Sequence, residues 1–245
     1  MGNFGNPQRS MRLVAVLTGL MVGAVCAGSA HAGSFTVNPV TIDLPADRKA
    51  ASLSVKNSGA APVSIRVRTL AWTQAEGLDV RTPTSNVIAS PPIFTIAPGK
   101  TQIVRIGLKS PAGPRAYRVV LEEIPRDKPL EKGIQVNLRL DLPLYLQPRG
   151  GGKADVSWRA WRDPAGQIIV EGSNKGSSHL QVTELSTEQG GKKHLLSQQM
   201  GVVLPGSARR WKAGKSVSFD AGAPLRLKIK GPSGDRHAQI VLEQR

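Results

Sequence analysis

The chain is 245 residues long, with a formal net charge of +16, 4% aromatic residues and a single cysteine. Its cations alternate with apolar residues, as at Arg66 and Arg68 or at Arg226, Lys228 and Lys230, which describes solvated sheet faces; with so few aromatic side chains to stack on bases, nucleic acid is not expected as a partner. One cysteine excludes a disulfide-stapled scaffold, so the fold must rest on hydrophobic cores of ordinary size.

The N-terminus reads as a secretory leader. Arg9 and Arg12 precede an apolar run from Leu13 to Ala27 and small residues ending at Ala30-His31-Ala32, which places a cut after Ala32. The run is shorter than the roughly 20 residues a helical span needs, so no membrane insertion is expected. Cys26 leaves with the leader, and Val25 before it is too bulky for a lipidation box. Losing Arg9 and Arg12 leaves 31 basic against 17 acidic side chains, a charge of +14. Export through a short charged leader points to a bacterial periplasm.

From there the chain alternates in short runs with no sustained helical period. Strands are expected from Phe35 to Leu44, Ala51 to Lys56, Val63 to Ala71, Thr101 to Leu108, Ala116 to Ile124 and Ile134 to Leu146. Turns fall at Asn57-Ser58-Gly59, Pro91-Pro92 and Ala97-Pro98-Gly99-Lys100. About seven strands in roughly 115 residues fit an immunoglobulin-like sandwich.

The last of these runs is the most informative. From Ile134 to Leu144 every even-numbered residue is aliphatic and every odd-numbered one is polar or proline, so one face of a strand carries a comb of Ile134, Val136, Leu138, Leu140, Leu142 and Leu144. About eleven residues at roughly 3.3 Å each can outreach the strand's own sheet. Pro143 has no N–H to give a ladder, which argues for a sheet edge or a strand end. An aliphatic edge invites another chain to pair with it. The same comb would equally serve as the protein's own core, and the pattern alone leaves both readings open.

Gln147-Pro148-Arg149-Gly150-Gly151-Gly152-Lys153 breaks the pattern and reads as a linker; its glycines lack the spacing of a phosphate-binding loop. A second set of strands is expected from Ala154 to Ala160, Gln167 to Glu171, Leu180 to Leu185, Met200 to Leu204, Leu225 to Lys230 and Ala238 to Glu243. Their turns include Asp163-Pro164-Ala165-Gly166, Glu188-Gln189-Gly190-Gly191 and Pro232-Ser233-Gly234. Roughly 90 residues suffice for a second sandwich. The division expected is a leader over 1–32, a first domain over 33–148, a hinge over 149–153 and a second domain over 154–245. No internal repeat aligns the two halves.

Ala89-Ser90-Pro91-Pro92-Ile93-Phe94-Thr95-Ile96-Ala97-Pro98-Gly99-Lys100 and the following Thr101-Gln102-Ile103-Val104-Arg105-Ile106 strongly resemble a stretch of the periplasmic pilus-assembly chaperones, the PapD-like family. Tyr117 to Pro125 resembles that family's F strand, with its terminal Glu123-Ile124-Pro125, and Ile134 to Pro148 its G strand. In the second half, Ile169 to Asn174 and Val203-Leu204-Pro205-Gly206 fit more loosely. The resemblance implies an all-β protein of two immunoglobulin-like sandwiches arranged as a boomerang. It implies pilus or fimbrial subunits as partners, held by lending the G strand to a sandwich that lacks its last strand, and an outer-membrane usher that receives them. Ile134, Val136, Leu138, Leu140 and Leu142 are then the subunit-binding residues. No cofactor or metal is implied.

The chain departs from the best-known members at one place. Those grip the subunit's C-terminal carboxylate with an Arg on the first strand and a Lys on the G strand, and the flanking motifs put Thr41 and Pro143 at these positions. Neither carries a charge, so the chain resembles the archaic or sigma-type branch. A replacement cation is expected, because charge-assisted bonds hold a carboxylate well, especially from a guanidinium fork. Arg118 on the F strand is the first candidate and Arg115 the second; a salt bridge from Arg118 to Glu122, or plain solvent exposure, is the alternative. Before the donor strand, Arg126 to Gly133 reads as a charged loop that orders when a subunit binds, or as an ordinary solvated hairpin loop.

Catalysis is not expected. His179, His194 and His237 are scattered, no nucleophile or metalloprotease motif is present, and Glu122 and Glu123 are neighbours on a strand and so face opposite ways. The rival reading is a secreted two-sandwich adhesin or fibre component. A fibre subunit would carry its donor pattern in an N-terminal extension; here it is internal, directly before the linker, which favours the lender. Self-association of the free protein is a further expectation, because exposed apolar patches rarely stay bare.

Overall fold

The computed structural model describes residues 35–110, 113, 115–125, 136–189, 192–214, 219, 222 and 224–243. The leader and its cut after Ala32, the loop from Arg126 to Gly133 and the first tooth of the comb, Ile134, lie outside the described residues. Among the described residues every regular element is a strand, and no helix is long and apolar enough to cross a membrane.

Two immunoglobulin-like sandwiches account for the described residues. The first comprises β1 (Phe35–Asn38), β2 (Ile42–Leu44), β3 (Ala50–Asn57), β4 (Val63–Ala75), β5 (Leu78–Pro83), β6 (Val87–Ser90), β7 (Ile93–Ile96), β8 (Thr101–Leu108), β9 (Ala116–Glu123) and β10 (Arg139–Leu146). One sheet runs β1-β3-β8-β6; the other runs β2-β10-β9-β4-β5, with β7 also paired to β4. Between them lies a core that includes Leu53, Val55, Ile65, Val104, Ile106, Tyr117, Leu121 and Leu144. These are inward members of alternating strands, as the period-two pattern requires.

The second sandwich comprises β11 (Val156–Arg162), β12 (Ile168–Asn174), β13 (Leu180–Val182), β14 (Glu184–Gln189), β15 (Lys192–Ser197), β16 (Gly201–Val203), β17 (Ala208–Lys212), β18 (Pro224–Lys230) and β19 (Arg236–Glu243). Its seven-stranded sheet runs β15-β14-β18-β19-β11-β12-β17, and β13 pairs with β16. Trp211, Leu185, Leu227, Ile229 and Leu242 are among the side chains at its centre.

Several expected strands divide. Phe35 to Leu44 is two strands in opposite sheets, because β1 pairs with β3 while β2 runs parallel to β10. Pro39 interrupts the ladder and Val40 is left exposed between them. Leu180 to Leu185 divides likewise into β13 and β14. The strand expected over Val63 to Ala71 runs on to Ala75 and turns through Glu76 and Gly77, both at positive φ (53° and 78°), into β5. That two-residue turn matches the right-handed twist of a hairpin. A third apolar cluster, Trp72, Ala116, Tyr145, Val202 and Leu204, joins the outer face of the first sandwich to the second.

The halves share a corner that the sequence reading did not align. Asn57 is fully buried at the end of β3: its Oδ1 accepts the Gly59 N–H (2.8 Å), and its Nδ2 donates to Ala61 O (2.8 Å) and Ile96 O (2.9 Å). Asn174 repeats this at the end of β12, accepting from Gly176 N–H (2.9 Å) and donating to Ser178 O (2.8 Å) and Val203 O (3.1 Å). In each half the same asparagine's carbonyl accepts the N–H of the glycine in a Pro-Gly turn, Gly99 or Gly206.

Candidate functional site

The comb divides along its length. The ladder pairs β10 with β9 from Arg139↔Glu122 to Tyr145↔Ala116, and the last bond towards the N-terminus is Glu123 N–H to Leu138 O, 2.9 Å. Because β9 ends at Glu123, the regular strand begins at Arg139, and Val136 to Leu138 lie before it without regular pairing. Val136 lies beyond the ladder and is 67% exposed. Leu138 and Leu140 are half-buried, packed against the rim of the first core. Leu142 is only 6% exposed and Leu144 fully buried, so both are members of that core. Of the comb expected over Ile134 to Leu142, the C-terminal residue Leu142 faces the opposing sheet, while Leu138 and Leu140 are only partly covered by it.

The edge of β10 divides in the same way. Its other side is covered by β2 only from Leu144 to Leu146. From Arg139 to Pro143 no described strand pairs there. Bonds at Leu138–Glu123 and Leu146–Arg115 fix the alternation of the ladder: even-numbered residues turn their peptide groups to β9, and odd-numbered ones turn theirs to the open side. Pro143 thus stands where a missing N–H costs the protein's own sheet nothing.

Arg118 lies opposite Pro143. Its Nε donates to Asp141 Oδ1 (2.7 Å), its Nη2 donates to Asp141 O (3.0 Å), and its guanidinium lies 4.7 Å from the centre of the Trp72 ring. Arg81, from β5, donates to the other carboxylate oxygen of Asp141, 2.7 Å away. The alternative partner, Glu122, is engaged elsewhere: Arg68 and Arg139 pair with it, and the hydrogen bond from Arg68 holds its carboxyl below the usual range. Arg115 is exposed and makes one long contact, Nη2 to Leu146 O at 3.4 Å. Thr41 is exposed beside β2. Arg81, Asp141 and Trp72 were not singled out by the sequence; they come together only through the registers of β4, β5, β9 and β10.

At its covered end β10 meets the second sandwich. Tyr145 stacks on His179 with ring centres 3.6 Å apart and planes 11° apart. Nearby, Gln74 donates to Val202 O (2.6 Å) and accepts from Leu204 N–H (3.0 Å), Arg210 N–H donates to Gly77 O (2.9 Å), and Arg209 pairs with Asp79 (2.7 Å). A Cβ on Gly77 would strike the Arg210 side chain, so the hairpin tip packs against β17 through a residue that must be small.

Residues 34–151 match the family described as pili and flagellar-assembly chaperone, PapD N-terminal domain. No curated protein matches the chain. Among solved structures, the fold is similar to a chain of the CsuC–CsuE chaperone–tip adhesion subunit pre-assembly complex from archaic chaperone-usher Csu pili of Acinetobacter baumannii, with a TM-score of 0.65, 20% identity, and coverage of 87% of this chain and 100% of that one. It is also similar to the YadV chaperone (TM-score 0.60, 15% identity, 86% and 100%). A third is the Salmonella enterica SafA pilin in complex with the SafB chaperone (TM-score 0.56, 14% identity, 85% and 96%).

Proposed function

The chain belongs to the PapD-like family of pilus-assembly chaperones, and from that premise we propose that it is a periplasmic chaperone that caps an incomplete pilus subunit with β10 and passes it to an outer-membrane usher. The family is one of chaperones and not of enzymes. We assign residues 1–32 to the leader, 33–148 to the domain that holds the subunit, 149–153 to the hinge and 154–245 to the second domain.

The observation that carries this reading is the open edge from Arg139 to Pro143, continued outward by exposed Val136 and half-buried Leu138 and Leu140. A subunit strand laid along that edge gains main-chain hydrogen bonds there, and its open groove receives Ile134, Val136, Leu138 and Leu140. Strand addition of this kind is an established mode of peptide recognition. Full burial of an aliphatic side chain contributes about 1.5–3 kcal/mol; with Leu138 and Leu140 already half-covered, the four teeth together offer roughly 5–9 kcal/mol before ordering costs. A slip of one residue would turn Gln135, Asn137 and Arg139 into the groove, so register is strongly specified.

For the subunit's carboxylate we propose Arg118 with Arg81 as the receiving pair, and Arg115 as the weaker candidate. Two guanidiniums share one carboxylate, Asp141, which leaves the cluster with a net positive charge. With Thr41 and Pro143 uncharged, this arrangement supports the archaic branch, as does the likeness to the Csu complex.

Expressed with its neighbouring secreted genes, the chain should leave the periplasm in a one-to-one complex with a subunit, and Val136→Asp should abolish that complex while the protein remains folded. Recovery of the chain alone, or on fibres at the cell surface, would overturn the proposal in favour of an adhesin.

A further inference from the structure

Among the described residues, the open stretch of β10 is not uniformly bare. Its outward-facing row runs from the N–H and C=O of Arg139 through those of Asp141 to the C=O of Pro143, which the parallel register of Leu144 on Ile42 turns to β2. At the centre of this row, the Asp141 carbonyl is already taken. Arg118 passes over the outer face of β10 at Pro143, donates from Nη2 to that carbonyl (3.0 Å) and from Nε to the Asp141 carboxylate (2.7 Å). The guanidinium is held on three sides: by the strand, by the Trp72 ring at 4.7 Å, and by Arg81, which grips the far oxygen of the same carboxylate. Its side chain is 14% exposed, an unusual degree of burial for an arginine at a sheet edge.

We infer that Arg118 is an edge guard, which in the empty protein caps the strand to be lent and so keeps it from pairing with the same strand of a second copy. An open flat strand is a template for its own kind, and two copies would join antiparallel about a two-fold axis. Such a ladder needs the Asp141 N–H and C=O together. With the carbonyl capped and Pro143 unable to donate, the middle of the ladder is lost. The guard also discriminates between occupants, and in this it rests on the function proposed above. A subunit ending in a carboxylate offers the guanidinium a second anion in exchange for the Asp141 carbonyl.

The test uses the leader-free protein alone, without a subunit, so its outcome is separate from that of subunit capture. Sedimentation velocity over a range of concentrations would compare the wild type with Arg118→Ala and with Arg118→Met, which keeps a stem on Trp72 but no donor. Freeing the carbonyl should tighten the dimer by about tenfold or more, the scale of one charge-assisted hydrogen bond. Adding Arg139→Pro, which removes an outward N–H without costing a main-chain bond to β9 and gives up only the exposed ion pair to Glu122, should reverse the gain. Equal self-association in wild type and variants, or a gain that Arg139→Pro leaves intact, would overturn the inference. A measurement free of any substitution stands beside it: in the wild type the Arg118 Nε–H should exchange with solvent far more slowly than that of exposed Arg105, and equal exchange rates would also overturn it.

Discussion

Each sandwich sets one carboxylate between two arginines beside a tryptophan, yet the two arrangements are built for different ends. In the second, Glu171 is on β12, with β11 on one side and β17 on the other, and Arg159 and Arg210 are its direct cross-strand neighbours. Their guanidiniums lie 4.9 and 5.4 Å from the Trp161 ring. Glu171 is 5% exposed, and burial pushes its carboxyl upward, but the hydrogen bonds from Arg210 and Arg159 outweigh that and hold it below the usual range. In the first sandwich, Asp141 is on a strand with a neighbour on one side only over that stretch, and its side chain is 23% exposed. The same three charges therefore lock a closed sheet in one place and sit on an open edge in the other. What separates structure from function here is the ladder beneath the charges.

Substitution at the two carboxylates should break this comparison most visibly. Glu171→Gln leaves two arginines facing a neutral amide in a covered position and should cost about 2–3 kcal/mol in urea unfolding. Asp141→Asn, where the pair is partly exposed, should cost under about 1 kcal/mol. Equal losses would erase the distinction between lock and open edge. The pH dependence has a definite sign. Because Glu171 has a lowered folded value, its contribution is complete above its ordinary range near 4.5 and is lost as pH falls through the folded value. The Glu171→Gln protein should show a flatter acid limb.

A smaller effect is expected where the sandwiches meet. Gln74 bonds Val202 O, Leu204 N–H and, at 2.9 Å, Asp79, so Gln74→Ala leaves three groups without that partner. A loss of about 1–2 kcal/mol is expected, together with a broader calorimetric transition as the sandwiches begin to melt separately. A transition as sharp as that of the wild type would mean that the apolar cluster of Trp72, Tyr145, Val202 and Leu204 couples them without help.

The parts of this design that depend on period two were legible in the sequence. The comb of β10 and the strand Thr101–Leu108 follow directly from alternation, and Ala116–Glu123 from a short apolar run buried on both faces. The division of the first strand was also written there, unread: its inward residues are odd-numbered at Phe35 and Val37 and even-numbered at Ile42 and Leu44, a change of parity that marks a turn of the chain between sheets. The repeated corner was visible as Asn57-Ser58-Gly59 and Asn174-Lys175-Gly176, each followed by a Pro-Gly turn, but nothing local says that such an asparagine is buried. Asp141 was not legible at all. Its arginines come from 23 and 60 residues away, and which side chains meet across a sheet depends on registers that no single strand's sequence contains. For the same reason the point along the comb where burial becomes complete, at Leu142, depends on how far the opposing sheet reaches.

The smallest effect should come from the covered end of β10, and its sign sets that end apart from the open one. Burial lowers the pKa of His179, with Asp43 opposing, while burial pushes Tyr145 up to about 12, with Arg118 opposing and Asp43 and Asp79 adding to the rise. A histidine with a depressed folded value leaves stability unchanged at high pH. As pH drops below its ordinary value near 6.5, the unfolded chain takes up a proton that the folded one refuses, so stability falls until the folded value is passed and then levels. The groups facing the stack are Tyr145, which stays neutral in that window, and, through the field, Asp43. His179→Phe keeps an aromatic face on Tyr145 and removes the titration. Melting temperatures followed from pH 7.5 to pH 5 should therefore slope downward for the wild type and lie flatter for His179→Phe. Parallel curves would show that protons reach His179 as freely as in the unfolded chain, and that the stack does not hold the end of β10 closed.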